Sequence, residues 1–138
     1  MSQLHRSIVN TAGAPQPIGA YSQAIRTTPR ELVFVAGQVA LDLAGNLFGE
    51  SDAAAQTRQA FDNIGSVLQG VGASFSDVVE FTTYLVGRDS VQPFLEARTD
   101  IFPTMFPDAD YPPNTLLIVA GLVRDEFLVE IKAVAALP

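Results

Sequence analysis

The sequence predicts an α+β domain in which a mixed β-sheet is covered on one face by two helices. Three observations carry that prediction. Runs rich in β-branched and aromatic residues alternate with two amphipathic stretches in the order β-β-α-β-α-β-β. Those two stretches supply helix enough for one sheet face only. The chain has 138 residues, with no low-complexity linker and no repeat of useful period, which fits a single domain over residues 1–138.

Taken in order, residues 1–17 read as an N-terminal segment that is loosely held. Ala20 to Ile25 offers a short optional strand. Leu32 to Leu41 (LVFVAGQVAL) is apolar on both parities and reads as a strand buried on both faces. Asp42-Leu43-Ala44-Gly45-Asn46 is a turn signal, because Gly45 and Asn46 tolerate positive φ. A return strand at Leu47 and Phe48 would complete a hairpin. Ser51 or Asp52 can cap the first helix, whose apolar face is Ala60, Phe61, Ile64, Val67, Leu68 and Val71. Gly70 and Gly72 mark its end.

Asp77 to Leu85 (DVVEFTTYL) is a strand by composition. The second helix starts near Ser90, with Pro93 tolerated in its first turn. Its stripe is Val91, Phe94, Leu95, Ile101, Phe102 and Met105. After the turn-rich PDADYPP segment, Thr115 to Ala120 and Leu128 to Ala135 are the last strands. Leu116, Ile118 and Ala120 alternate with Leu117 and Val119, so both faces of that strand are apolar. With helices for only one face, a second copy of the chain is the expected cover for the other.

Composition narrows the function. At 48% hydrophobic and 17% charged, the chain is more apolar than an average soluble domain. A net charge of −7 argues against general affinity for nucleic acid or acidic lipid, both polyanions. Cysteine is absent, which excludes a thiol nucleophile, a disulfide framework and a cysteine metal site. The longest apolar run, Leu116 to Val123, is too short to span a membrane, and MSQLHRSIVN lacks the apolar core of a secretory signal. A cytoplasmic location is expected, without a cofactor or a resident metal.

Few residues suggest chemistry. His5 is the single histidine and reads as surface decoration rather than part of a triad or zinc site. Asp108 and Asp110 sit in a turn with no third ligand near in sequence and read as solvated. Gly70 and Gly72 close a helix where a phosphate loop would open one. Glu130 lies in an apolar strand between Val129 and Ile131, with only Lys132 polar on its face. Such a carboxylate either pairs with a cation or serves as a proton carrier. Arg98 interrupts the stripe of the second helix. It is either a snorkelling arginine or a guanidinium facing a cleft, suited to a bidentate carboxylate. Tyr21 follows Gly19 and can donate to a substrate oxygen or simply pack.

Five segments resemble a known family: IGAYSQA from Ile18, VFVAGQV from Val33, QTRQAFDNI from Gln56, DVVEFTTYL from Asp77, and VEIKAVA from Val129. In this order and spacing they are similar to the Rid family, the reactive intermediate deaminases, also called YjgF or L-PSP endoribonuclease-like. The similarity runs from about Ile18 to the C-terminus. It implies a chorismate-mutase-like (YjgF-like) fold and a homotrimer whose sheets form a central barrel, with a small-molecule cleft at each subunit interface. In active deaminases of the family an arginine opening the penultimate strand clamps the carboxylate of a 2-imino or 2-enamino acid. A backbone amide two residues on assists it, and a glutamate of the last strand positions the water that releases ammonia.

Carried across by that resemblance, Glu130 matches the glutamate, Tyr21 an N-terminal tyrosine of the pocket, and Gly37 its glycine. Leu116 falls at the assisting amide. Ala36 stands where a serine is usual, and Glu96 and Thr99 take the places of an asparagine and a tyrosine common in the second helix. The clamp is replaced: the family's proline-alanine-arginine run corresponds to Pro112-Pro113-Asn114. Losing a bidentate pair should cost about two orders of magnitude or more in productive binding, at roughly 1.5–3 kcal/mol per charge-assisted hydrogen bond. Asn114 suits an amide, carbonyl or neutral heterocycle instead. The sequence leaves open whether Arg98 or Arg124 supplies the missing cation.

Three functions compete: imine or enamine hydrolysis on a non-standard substrate, a non-catalytic metabolite-binding or regulatory trimer, and endoribonuclease activity. The acidic chain and its single histidine disfavour the third.

Overall fold

The computed structural model describes residues 6–138. His5 therefore lies outside the described residues. Two short strands, β1 (Arg6–Val9) and β2 (Ala24–Thr27), pair antiparallel, with Arg6 opposite Thr27 and Val9 opposite Ala24. Residues 6–9 thus belong to a strand within the segment expected to be loosely held. Arg6 fastens it, donating from Nε to the Val78 carbonyl and from Nη2 to the Asp110 carbonyl, both at 3.1 Å.

The main sheet contains β3 (Glu31–Gln38), β4 (Val78–Val86), β5 (Asn114–Val119) and β6 (Val129–Leu137) in the order β3-β6-β4-β5. Only β4 and β5 run parallel, joined by a helical crossover; the other pairs are antiparallel. The two helices, α1 (Ala53–Gly70) and α2 (Val91–Met105), cover one face. The expected α+β architecture with a mixed sheet is therefore present.

Local chemistry explains the boundaries. Asp52 caps α1, its side chain accepting from the Ala55 N–H, while Ser51 takes a positive φ of 56° just before it. At the other end Gly72 adopts φ 74° and its N–H closes onto the Gln69 carbonyl. A 3-10 turn at Arg88–Ser90 leads into α2, and the Ser90 hydroxyl bonds the Val86 carbonyl rather than capping the helix. The expected return strand after β3 is reduced to one bridge, Leu41 to Leu47. The Asp42 carboxylate there accepts from the Ala44 and Asn46 N–H groups and turns the chain too tightly for a longer ladder.

The core lies between helices and sheet. Phe61, Ile64 and Leu68 of α1 and Phe94 and Phe102 of α2 meet Phe81 and Leu85 of β4 and Val129, Ile131, Ala133 and Ala135 of β6. The alternate sheet residues are left open in the single chain: Leu32 is 51% exposed, Phe34 74% and Leu117 40%. Glu130, Tyr84, Lys132 and Thr82 share that open face by parity and register.

Candidate functional site

The predicted residues gather in two groups. The first is on the open face. Glu130 sits in β6 opposite Tyr84 of β4 and is half-buried. Gly37 lies where the β3–β6 register shifts between Val35 and Gln38. A Cβ built on Gly37 would stand 2.6 Å from Glu130 Oε1 and 2.8 Å from its Cδ. The glycine is the space the carboxylate occupies. Glu130 makes no ion pair or side-chain hydrogen bond among the described residues, although Lys132 shares its face. Its carboxylate is held by shape rather than by a cation. A recess of about 380 Å³ beside this point is lined by Gly37, Gln38, Val39, Leu41, Asn63 and Val67.

The second group surrounds Arg98, which the first turns of α2 carry inward. Its side chain is buried, at 7% exposure. The guanidinium carbon lies 5.4 Å from the Phe94 ring centre and 5.7 Å from that of Phe102. Gly19 borders it so closely that a Cβ there would approach Nη2 to 3.2 Å. Tyr21 follows in the same loop, its N–H bonded to the Gly19 carbonyl and its hydroxyl accepting from the Ile18 N–H at 3.2 Å. Tyr111 stacks on Phe102 at 5.6 Å. Burial holds the Arg98 pKa below its ordinary value, and the nearby Tyr111 and Tyr21 hydroxyls offset part of that fall. The snorkelling alternative does not describe Arg98, since its head is enclosed.

Asn114 opens β5 in register with Phe81. Its Oδ1 accepts from the buried Thr83 hydroxyl at 2.9 Å, which fixes the amide and leaves its NH₂ without an acceptor among the described residues. Asn114 therefore offers both N–H donors, and its oxygen keeps one lone pair. The Phe81 and Thr83 parity places it toward the helices, whereas Glu130 lies on the open face. One chain does not bring the two together. Leu116 follows opposite Thr83, with its side chain against the core, in an edge strand whose outer backbone groups have no ladder partner in the sheet.

Arg124, the other arginine considered, lies over the Phe127 ring at 5.0 Å and pairs with Glu126 at 3.5 Å. It is exposed and already has an acceptor. No three His, Cys, Asp or Glu side chains converge on a metal position among the described residues, and none of the helices is long and apolar enough to cross a membrane. Sequence reasoning missed Thr83 and Tyr111. The signal for Thr83 was a hydroxyl on the core parity of an apolar strand. Tyr111 carried none beyond its place before two prolines.

Known proteins match this chain along nearly its whole length. The family described as Endoribonuclease L-PSP matches residues 11–137. A RutC family protein of Synechocystis is 37% identical over 132 residues, covering 95% of this chain and 96% of that one. A protein of Bos taurus named 2-iminobutanoate/2-iminopropanoate deaminase is 33% identical over 135 residues, covering 98% and 93%. Among solved structures, the Rid family protein YyfB of Yersinia pestis superposes with a TM-score of 0.86 at 30% identity, over 97% of this chain and all of that one. Sequence, fold and the five quoted segments agree, and the chain belongs to the Rid (YjgF, L-PSP endoribonuclease-like) family.

Proposed function

We propose that the protein is a Rid-type hydrolase of a small imine or enamine, working in clefts between the subunits of a homotrimer. The observation that carries the reading is Glu130: a carboxylate without a cation partner among the described residues, on an uncovered sheet face, in a space that only a glycine at position 37 leaves open. The names of the deaminase relatives support the reaction class. The apolar open face, with Leu32, Phe34 and Leu117, supports association through the sheet. In such an assembly, on this reading, the Glu130–Gly37 group of one subunit meets the Tyr21–Arg98 group or Asn114 of a neighbour.

In the proposed reaction Glu130 takes a proton from a water molecule as the water oxygen adds to the imine carbon. The nitrogen receives a proton as the C=N bond becomes single. The resulting carbinolamine expels ammonia while its hydroxyl proton leaves and a carbonyl forms. Water and imine are consumed, and ammonia and a ketone are released. No metal or redox partner is required for that balance.

A second reading, a metabolite-binding trimer without catalysis, is favoured by Asn114 at the position where active relatives are expected to carry arginine. The two are separated by imines generated in situ. Accelerated ammonia release over buffer supports the hydrolase. No acceleration with either anionic or neutral imines removes it. A ligand that occupies the cleft unreacted, with affinity intact in Glu130→Ala, establishes the binding protein instead. Ribonuclease action finds no support in a chain of net charge −7.

A further inference from the structure

We infer that the groove between α1 and α2, on the outer side of the helical layer, binds a small primary amine with an aromatic body. This site is separate from the cleft proposed above and does not depend on the hydrolase reading.

Helical spacing assembles the groove. Phe61 and Gly65 stand one turn apart on α1, as do Ile101 and Met105 on α2. Phe61, Ile101 and Met105, with Phe75 from the 3-10 turn Phe75–Asp77, give an apolar lining to a space of about 530 Å³. Gly65 admits the Phe75 ring: a Cβ there would stand 3.1 Å from its Cε2 and 3.3 Å from its Cζ. At the other end Arg58 of α1 reaches Asp100 of α2 at 2.7 Å and joins the two helices. From residue 58 to residue 65 is about 10 Å at the helical rise. That length suits a small molecule and is too short to seat a partner helix. An apolar lining with a few polar groups, at roughly 300–1,000 Å³, is the usual form of a small-molecule site.

The rim sets the charge of the ligand. Arg58 is committed to Asp100, so the Asp62 carboxylate, one turn further along α1, has no cation partner among the described residues. One arginine and two aspartates leave the rim a negative charge in excess. The Thr104 hydroxyl, one turn after Asp100, makes no hydrogen bond among the described residues and adds an acceptor. A carboxylate or phosphate entering here is repelled, whereas an ammonium finds Asp62 and Thr104 as acceptors. Behind them the Phe61 and Phe75 rings offer edge and offset contacts to an aromatic body, and unbranched Met105 adapts to its outline. The sheet stands between this groove and Glu130 on the open face, so the two sites can be filled independently.

The test is calorimetric titration of the full-length protein with phenethylamine, phenethyl alcohol and hydrocinnamate, which share a body and differ in charge. The amine is expected to bind, the alcohol about three- to tenfold more weakly, and the carboxylate more weakly still. Added salt should weaken the amine and leave the alcohol unchanged. Asp62→Asn should bring the amine level with the alcohol, and Thr104→Trp, which fills the groove, should abolish both. Both positions are exposed, so both variants should fold, which a melting curve checks. Equal binding of the three probes, or an Asp62→Asn protein that keeps the difference between amine and alcohol, overturns the inference. Tighter binding of N-acetyl-lysine amide than of phenethylamine also overturns it, since the groove then receives a protein side chain. A fall in oligomeric mass in Thr104→Trp does the same, because a second copy then covers the groove. In NMR spectra the Ile101 and Met105 methyl signals should shift with the amine. Shifts confined to Leu32 and Leu117 would put the amine on the open sheet face and refute the site.

Discussion

Replacing Gly37 by alanine should disable hydrolysis while leaving the fold intact. The added Cβ would lie 2.6 Å from Glu130 Oε1, 2.8 Å from Cδ and 3.0 Å from Cγ. Ordinary heavy-atom contact is about 3.5 Å or more, so the carboxylate must retreat by roughly 1 Å. A displacement of that size at a reacting group costs on the order of 100-fold in rate, equivalent to about 2.7 kcal/mol of transition-state stabilisation. Stability should barely change. The atom that must move is the end of a flexible side chain, a rotamer shift costs about 0.5–1.5 kcal/mol, and Gly→Ala at a φ outside the left-handed region returns about 0.4–1 kcal/mol through the unfolded chain. Steady-state assay of ammonia release should therefore show a fall in kcat with little change in KM, beside an unchanged melting curve. A Gly37→Ala protein with kcat/KM within twofold of wild type would refute the reasoning, because Glu130 cannot both move and remain in place.

Three further outcomes follow from the geometry. Phe34→Glu, at the most exposed phenylalanine of the open face, should reduce the proposed homotrimer to single chains in sedimentation velocity; burial of each such ring stabilises by about 1.5–3 kcal/mol, and an unchanged mass would show that this face is not the interface. Gln56→Ala should destabilise by about 3–5 kcal/mol in chemical denaturation, since that buried amide donates to the Gly49 and Glu126 carbonyls and accepts from the Leu128 N–H. Arg98→Met, which replaces a buried guanidinium by an apolar side chain, should melt at or above the wild-type temperature at neutral pH. The sign follows from its pKa: burial lowers the folded value, so the native state holds the proton less tightly than the unfolded chain. That penalty is present in full at neutral pH and is relieved only as pH rises above the lowered pKa. A loss of more than about 2 kcal/mol would mean the guanidinium has a partner within the protein.

Much of the fold was legible because period and composition agreed along most elements. Ala60, Phe61, Ile64 and Leu68 mark the buried face of α1 as their spacing predicts, but Val67 and Val71, at 39% and 48% exposure, lie outside it. The helix needs only a narrower stripe against this sheet. The four residues of β1 are too few, and too polar at Arg6 and Ser7, to show a strand period. The uncovered face was visible in the apolar alternation of β5, which has no polar side to give water.

The site was less legible, since it depends on directions that spacing cannot supply. Glu130 and Gly37 were named separately, and only the register shift in β3 brings them within a Cβ of each other. Asn114 reads from sequence as a donor and an acceptor; its register with Phe81 faces it toward the helices, and Thr83 donates to its oxygen and fixes the amide. Arg98 reads from sequence first as a snorkelling head, because a break in an apolar stripe does not reveal two flanking rings. Its enclosure is a tertiary property of Phe94, Phe102 and the Gly19 loop.

Glu130 as the residue that activates water is the centre of the account. The most direct measurement compares ammonia release from anionic and neutral imines, generated in situ, by wild type and Glu130→Gln at equal concentration. Wild type should accelerate release above buffer, and Glu130→Gln should fall by about 100-fold or more with its assembly and melting unchanged. Equal rates in the two proteins, or a wild type no faster than buffer, would contradict it.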